Sequence, residues 1–129
     1  MKIEDYFALI KKTIESSAVV RLSNVTYEKR STHIGIIGGT LHFADNTILD
    51  WREYVDVEIK EDRLMYTYHY MDSSKKIIFR YDNTGHHKKL GLSTYPHHKH
   101  LDLDENVVSS DPTDLATVLR EIEQLVELD

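Results

Sequence analysis

Histidine and cationic side chains are concentrated in one short segment of this chain. Residues 79–100 contain five of the eight histidines, interleaved with Arg80, Lys88, Lys89 and Lys99. Histidine is the side chain whose ordinary pKa lies closest to physiological pH, so such a cluster suits proton transfer, metal ligation or contact with an anion. We therefore expect function to lie in this segment.

The same segment is a basic island in an acidic protein. The 129-residue chain carries a formal net charge of −6. Residues 75–100 hold six Lys or Arg against one Asp, a balance of +5, whereas residues 101–129 hold one Arg against nine acids, a balance of −8. A local positive field attracts anions whatever the total charge. The pattern favours an anionic ligand, although a solvated loop carrying lysines would have the same composition.

One interpretation of the island is metal-free acid–base chemistry on a phosphodiester. Cleavage of RNA through its own 2′-hydroxyl needs a base, an acid and cations that hold the developing negative charge. The candidate proton carriers are His86, His87, His98 and His100. Arg80 and Lys99 would neutralise the phosphorane, and Asp82 would orient a histidine or hold Arg80 in place. The predicted substrate contacts are Tyr81, Asn83, Lys88, Lys89 and Lys99.

Two other interpretations stay open. His98 and His100 lie at i and i+2, on one side of an extended segment, and the His86-His87 pair could complete a metal site. The surrounding cations raise the electrostatic cost of a dication, so we predict no metal and no cofactor. Alternatively, residues 97–100 form an exposed edge strand that is polar as a protection against aggregation.

The bulk composition predicts one soluble domain over residues 1–129. Hydrophobic residues make up 40% of the chain, and charged residues make up 29%. The chain has no cysteine, which excludes disulfides, thiolate metal sites and a cysteine nucleophile. Acids occupy the N-terminal positions where a signal peptide needs an apolar stretch, and no run is long enough to span a membrane. We expect a cytoplasmic protein.

The hydrophobic periodicity predicts an α+β fold: an antiparallel sheet of about five strands, flanked by an N-terminal and a C-terminal helix. The first helical stripe comprises Ile3, Tyr6, Phe7, Ile10 and Ile14, and the last comprises Leu115, Val118, Leu119, Ile122, Leu125 and Val126. Asp111 is the expected N-cap of the second helix, with Pro112 at its first position. Residues 18–28, 33–44, and three further runs between Trp51 and Tyr81 alternate as strands do.

Four-residue turns would fix the register of the later strands. Val57 would then face Tyr66, which would face Tyr81, with Val55, Tyr68 and Phe79 in the next row. We interpret this aromatic ladder as core packing, with a base-stacking platform as the alternative. On the opposite face the same register groups Asp56, Thr67 and Arg80, with Tyr54 and His69 beside them. That polar face leads into His86 and His87.

At these residues the chain resembles the TumE-type toxin family of bacterial and archaeal toxin–antitoxin pairs. The shared motif is Arg80-Tyr81-Asp82-Asn83, then His86-His87, then Pro96-His97-His98-Lys99-His100. The segments 52–55 and 66–70 also look like central strands of the family, so the resemblance covers roughly residues 50–125. The chain departs from the family pattern at Gly85 and in its longer spacer, residues 88–92.

The resemblance implies a small toxin neutralised by a cognate antitoxin, expected to be a helix-turn-helix protein. Such toxins commonly act on RNA, which agrees with the phosphodiester interpretation. We therefore predict a toxin whose basic His/Arg pocket acts on RNA as a metal-independent endoribonuclease. The alternative is a non-catalytic regulatory module that binds a protein or an anion, its acidic C-terminal third docking a basic partner. An exposed sheet edge would also permit a homodimer.

Overall fold

A single antiparallel meander with a helix at each end of the chain forms the fold. The computed structural model describes residues 1–83, 96–101 and 106–126. Its helices and strands are α1 (Ile3–Glu15), β1 (Val20–Lys29), β2 (Ile34–Phe43), β3 (Ile48–Asp56), β4 (Asp62–Met71), β5 (Ile77–Asp82), β6 (His98–Leu101), β7 (Asn106–Ser109) and α2 (Leu115–Leu125). The predicted α+β class with helices at both ends is confirmed.

The sheet contains seven described strands rather than about five. The strands follow chain order, and each pairs antiparallel with the next. The expected number was wrong because β6 and β7 are only four residues long. Four residues give too few alternations for a clear period-two signal. The edge-strand interpretation of residues 97–100 was also wrong, since β6 lies between β5 and β7 and buries His98 and His100.

One face of the sheet is aromatic and carries both helices. Trp51 stacks with Tyr68 at 6.5 Å between ring centroids, and Tyr70 contacts Phe79 at 5.2 Å. The helix residues in the same core are Ile3, Tyr6, Ile10 and Ile14 of α1 and Leu115, Val118, Leu119 and Ile122 of α2. Burial of these stripes against the sheet is the main stabilising contribution of both helices. The aromatic ladder is core packing, as predicted.

The predicted register was wrong, although every side chain keeps its predicted face. Tyr66 pairs with Glu53 rather than Val57, and Tyr68, not Tyr66, pairs with Tyr81. The connection 57–61 begins three residues before the assumed turn 60–63, and the connection 72–76 is one residue longer than the assumed turn 72–75. A β-bulge lies next to each of them. The β3 partner of Tyr66 is Glu53, four residues from the predicted Val57. A displacement by an even number of residues leaves the inside–outside alternation unchanged.

The second helix begins later than predicted. Its N-cap is Asp114 rather than Asp111, and the Asp114 Oδ1 atom accepts a 2.8 Å hydrogen bond from the Thr117 backbone N–H. This contact satisfies one of the backbone donors that every helix leaves unpaired in its first turn. Among the residues that the structure describes, neither helix combines the length and the apolar character needed to cross a membrane.

Candidate functional site

The pairing of β5 with β6 assembles a polar cluster on the sheet face opposite the helices. Arg80 and Asp82 alternate with core residues of β5, so both side chains point away from the aromatic face. In the register, Arg80 lies directly opposite His100, and Asp82 lies directly opposite His98. Two i, i+2 pairs on neighbouring strands therefore form one square of side chains. We call these four residues the His/Arg cluster.

The Asp82 carboxylate is the centre of the His/Arg cluster. Its Oδ1 atom lies 2.6 Å from His98 Nε2. Its Oδ2 atom accepts a 3.1 Å hydrogen bond from Arg80 Nε and lies 3.2 Å from His100 Nε2. Asp82 and His98 are each 2% exposed, and His100 is 1% exposed. A carboxylate this deeply buried requires cationic or hydrogen-bonding partners, and among the described residues the Arg80 guanidinium donates to it while both imidazoles lie within 3.2 Å.

His98 lies between the Pro96 carbonyl and the Asp82 carboxylate. Its Nδ1 atom lies 2.8 Å from the Pro96 carbonyl oxygen, which can only accept, so Nδ1 carries a hydrogen. Its Nε2 atom faces Asp82 Oδ1 at 2.6 Å, which is within ion-pair distance, but this contact does not have the geometry of a hydrogen bond. The Pro96 carbonyl therefore orients the His98 ring, with Nε2 directed at the carboxylate.

His100 has a different arrangement. Its Nε2 atom lies 3.1 Å from Arg80 Nη2. A guanidinium can only donate, so this contact makes Nε2 an acceptor and leaves the His100 ring neutral. Arg80 consequently donates to both the carboxylate and the imidazole, and its side chain remains 22% exposed. The guanidinium is the cationic group of the cluster that is closest to solvent.

The residue types of the cluster also suit a metal ion, although one of its distances is shorter than two ligands of one ion would show. Asp82, His98 and His100 offer one carboxylate oxygen and two imidazole nitrogens within 4.8 Å of one another. The carbonyl contact of His98 Nδ1 is one that metal-bound histidines also make. Two ligand atoms about 2.1 Å from one ion are at least about 3.0 Å apart at right angles. The 2.6 Å separation of His98 Nε2 and Asp82 Oδ1 is shorter than that.

Two predicted substrate contacts lie on the opposite side of the sheet. Lys99 and Tyr81 point towards α2, where both bind the Glu121 carboxylate, at 3.1 Å and 2.5 Å respectively. Burial alone would lower the pKa of Lys99, but its hydrogen bonds with Tyr81 and Glu121 outweigh that effect and raise the pKa. Burial raises the pKa of Tyr81. The sheet therefore separates both side chains from the His/Arg cluster.

The remaining predicted residues divide into two groups. The Asn83 side chain continues the pairing of β4 and β5, since its Oδ1 accepts from Tyr66 N–H and its Nδ2 donates to the Leu64 carbonyl. His86, His87, Lys88 and Lys89 lie outside the described residues. They belong to the connection 84–95, which leaves β5 just after Asp82 and enters β6 just before His98.

The register aligns further residues with the cluster, and of these sequence reasoning missed Arg52 and Asp50. Arg52, Thr67, Asp82 and His98 form one row of Cα partners across β3, β4, β5 and β6, which we call the Arg52 row. Asp50, His69, Arg80 and His100 form the adjacent row. Alternation places these residues on one face, but only the register brings them into line.

A second buried polar cluster lies on the helix side and was also missed. Glu53 is fully buried, and its carboxylate accepts 2.5 Å hydrogen bonds from the Tyr6 and Tyr68 hydroxyls. Burial raises the pKa of Glu53, and the two hydrogen bonds only partly offset that effect. The sequence does contain a pattern that predicts this burial. Glu53 lies midway between Trp51 and Val55, at a position where alternation turns the side chain of β3 inward. This cluster links α1 to the sheet and has no contact with the His/Arg cluster among the interactions of the described residues.

Comparison with known proteins is consistent with the motif. A search of curated proteins and a search of solved structures each found no match. The family model described as "Toxin TumE" matches residues 8–128, which is nearly the whole chain. Membership in a toxin family of this kind implies a cognate antitoxin as partner. The chain belongs to the TumE family and is a toxin of a toxin–antitoxin system.

Proposed function

We propose that this toxin acts on RNA at the His/Arg cluster as a metal-independent endoribonuclease. The observation that carries the proposal is the buried Asp82 carboxylate, which joins His98, His100 and Arg80 within 3.2 Å. The arrangement combines two imidazoles, a carboxylate and a guanidinium. Those are the kinds of group that transesterification through a 2′-hydroxyl requires.

In this proposal the cluster residues have different roles. Arg80, the most exposed of them, contacts the scissile phosphate and stabilises the charge of the phosphorane. His98 and His100 are nearly buried, so they exchange protons with the substrate through an intermediary rather than by open contact. His86 and His87 fit that intermediary role because the chain segment that carries them is joined to both strands of the cluster. Asp82 orients His98 and Arg80.

Substrate contacts are assigned by position. Lys88 and Lys89 lie in the connection 84–95 and would attract the RNA backbone. Asn83 would fix the start of that connection through its two backbone hydrogen bonds. Lys99 and Tyr81 would stabilise the packing of α2 instead of contacting RNA, since both donate hydrogen bonds to the Glu121 carboxylate. The reaction would take place in the cytoplasm, where the RNA is.

The proposed antitoxin is a helix-turn-helix protein. Residues 101–129 carry a charge of −8, which complements a basic partner. The β1 edge of the sheet, whose side chains are largely exposed, would permit a homodimer by strand pairing. A small reading frame for such a protein adjacent to the toxin gene would support this assignment.

The second candidate function is a non-catalytic binding module. It is favoured by the near-complete burial of His98 and His100, because a buried, hydrogen-bonded imidazole is also a stable structural element. In that case the purified protein would bind its antitoxin, leave RNA intact and tolerate substitution of the histidines.

Expression of variants tests the proposal. Arg80→Gln, His87→Ala and His98→Ala should each abolish growth arrest and lower RNA cleavage by about 100-fold or more, the usual contribution of a proton-transfer group. His42→Ala is the matched control, because His42 is a half-buried strand histidine far from the cluster in the register. It should remain toxic. Circular dichroism of the purified variants would verify their fold.

Unchanged toxicity of the Arg80, His87 and His98 variants would exclude the catalytic assignment. A separate measurement addresses metal dependence. Protein purified without a polyhistidine tag should contain no stoichiometric zinc, nickel or manganese by elemental analysis, and it should cleave RNA in the presence of a chelator. Stoichiometric metal together with chelator-sensitive cleavage would replace the proton-transfer mechanism with a metal-dependent one.

A further inference from the structure

An apolar row runs beside the Arg52 row on the outer face of the sheet. Ile36, Tyr54 and Met65 are consecutive Cα partners across β2, β3 and β4. They lie two residues along their strands from Gly38, Arg52 and Thr67, so the two rows are immediate neighbours. Met65 is 58% exposed, since both described helices pack on the other face. The apolar row therefore presents aromatic and aliphatic surface to solvent beside a polar row.

The two rows enclose a cavity of about 270 Å³. Its walls include the side chains of the apolar row, and Arg52 and Thr67 lie on its polar side. A second cavity of about 260 Å³ adjoins it towards β1 and shares Ile36 and Arg52 with the first. Arg52 thus lies between two concave sites. Each site combines apolar side chains with a guanidinium, and the second site also contains the Glu28 carboxylate.

Arg52 is available to an anionic ligand. Its side chain is exposed, and it forms no ion pair with any carboxylate among the residues that the structure describes. In the Arg52 row, Thr67 of β4 lies between Arg52 of β3 and Asp82 of β5. Two strand spacings, roughly 10 Å, therefore separate Arg52 from the His/Arg cluster. Arg52 and Arg80 are two cations on the same face of the sheet, with Arg80 the nearer to the histidines.

We propose that these cavities bind the bases of single-stranded RNA whose backbone passes Arg52 towards Arg80. This inference rests on the proposed function and specifies its substrate as an unpaired strand. Charge complementarity supports RNA as the occupant, since two guanidinium groups on one face can contact two phosphates of the same strand. Apolar and aromatic walls take the faces of bases, which every base offers irrespective of sequence. Paired bases are stacked within a helix and cannot enter such sites.

Binding measurements with two probes test the base sites. The first probe is a fluorescent single-stranded 2′-O-methyl RNA, which lacks the nucleophilic hydroxyl and stays intact. The second has the same backbone without bases. Tyr54→Ala should weaken binding of the first probe roughly 5- to 100-fold and leave the abasic probe unaffected. Tyr54→Phe should bind both as the wild type does. Arg52→Gln should weaken binding of both probes. It should also reduce the slope of log affinity against log salt concentration by about one.

The chain offers a matched pair of isoleucines as a control. Ile36 and Ile48 are both half-buried on the outer face. Ile48 lies two residues beyond Asp50 along β3, on the side away from the cavities. Ile36→Ala should weaken binding of the base-containing probe, and Ile48→Ala should not. A duplex of the same sequence should bind the wild type more weakly than the single strand.

The outcomes separate this inference from the proposed function. Wild-type binding by Tyr54→Ala and Ile36→Ala would overturn the base sites, even if the His98 variant fails to cleave RNA. Base-dependent binding as expected, with no cleavage by the wild type, would support the base sites and contradict the nuclease. Loss of antitoxin binding in Tyr54→Ala with unchanged RNA binding would identify the face as a protein interface and overturn the inference.

Discussion

The Asp82 carboxylate decides how the His/Arg cluster is arranged. It accepts a hydrogen bond from Arg80, and the Nε2 atoms of both histidines lie within 3.2 Å of it. The pattern Arg-x-Asp and the pattern His-x-His predicted which side chains share a face. They did not predict that Asp82 would contact both histidines, because strand alternation contains no information on register.

Loss of the Asp82 charge should destabilise the protein strongly. Asp82→Asn leaves Arg80 and His98 without their shared anion in a buried site, so we expect the free energy of unfolding to fall by about 3 kcal/mol. Urea unfolding, followed by Trp51 fluorescence, measures the change. The control is Asp50→Asn, an exposed carboxylate on the same face, which should cost about 0.5 kcal/mol or less. Equal losses would show that the cluster does not depend on the Asp82 charge.

At the scale of elements, the helices follow from the sequence more directly than the strands. The stripes of α1 and α2 are long and periodic, and both helices occur where the pattern predicts them. The start of α2 was less predictable, since Asp111 and Asp114 are both acceptable N-caps by residue type. Asp114 is the N-cap because it accepts a hydrogen bond from the Thr117 backbone N–H, and the Arg63 guanidinium lies 3.6 Å from it.

The two acidic residues should differ clearly on substitution. Asp114→Ala removes the cap and one partner of Arg63, and it should lower the free energy of unfolding by about 1–2 kcal/mol. Asp111→Ala should change it by less than about 0.5 kcal/mol, because the Asp111 side chain makes no hydrogen bond with the described residues. Thermal unfolding of both variants tests the difference. The reverse order would place the cap at Asp111.

At the scale of the whole molecule, Glu53 connects the first helix to the centre of the sheet. Tyr6 of α1 and Tyr68 of β4 donate to one buried carboxylate, and Arg63 lies 3.9 Å from it. A charge enclosed in this way makes the stability of the fold depend on pH. Residue composition did not reveal this dependence, because an inward-facing glutamate in an alternating strand reads as an interruption of the pattern.

The Glu53 contribution to stability should decrease as pH rises. Its pKa in the folded protein lies above the ordinary value of 4.5, so protonation favours the folded state. This contribution is fully present below pH 4.5 and is lost as pH rises through the folded-state pKa. Glu53→Gln removes it. The difference in free energy of unfolding between wild type and Glu53→Gln should therefore shrink from about pH 4 towards neutrality. A constant difference in urea unfolding across this range would contradict the shifted pKa.

The sequence by itself determined the residue types of the cluster, the two helical stripes, the inside–outside alternation of the longer strands and the family motif. These features depend on local periodicity, which each segment carries within itself. Only the tertiary structure decided the register, the strands β6 and β7, the diversion of Lys99 and Tyr81 to Glu121, and the alignment of Arg52 with His98. Those features depend on connection lengths, bulges and cross-strand neighbours, and such non-local contacts leave no pattern in a single stretch of chain.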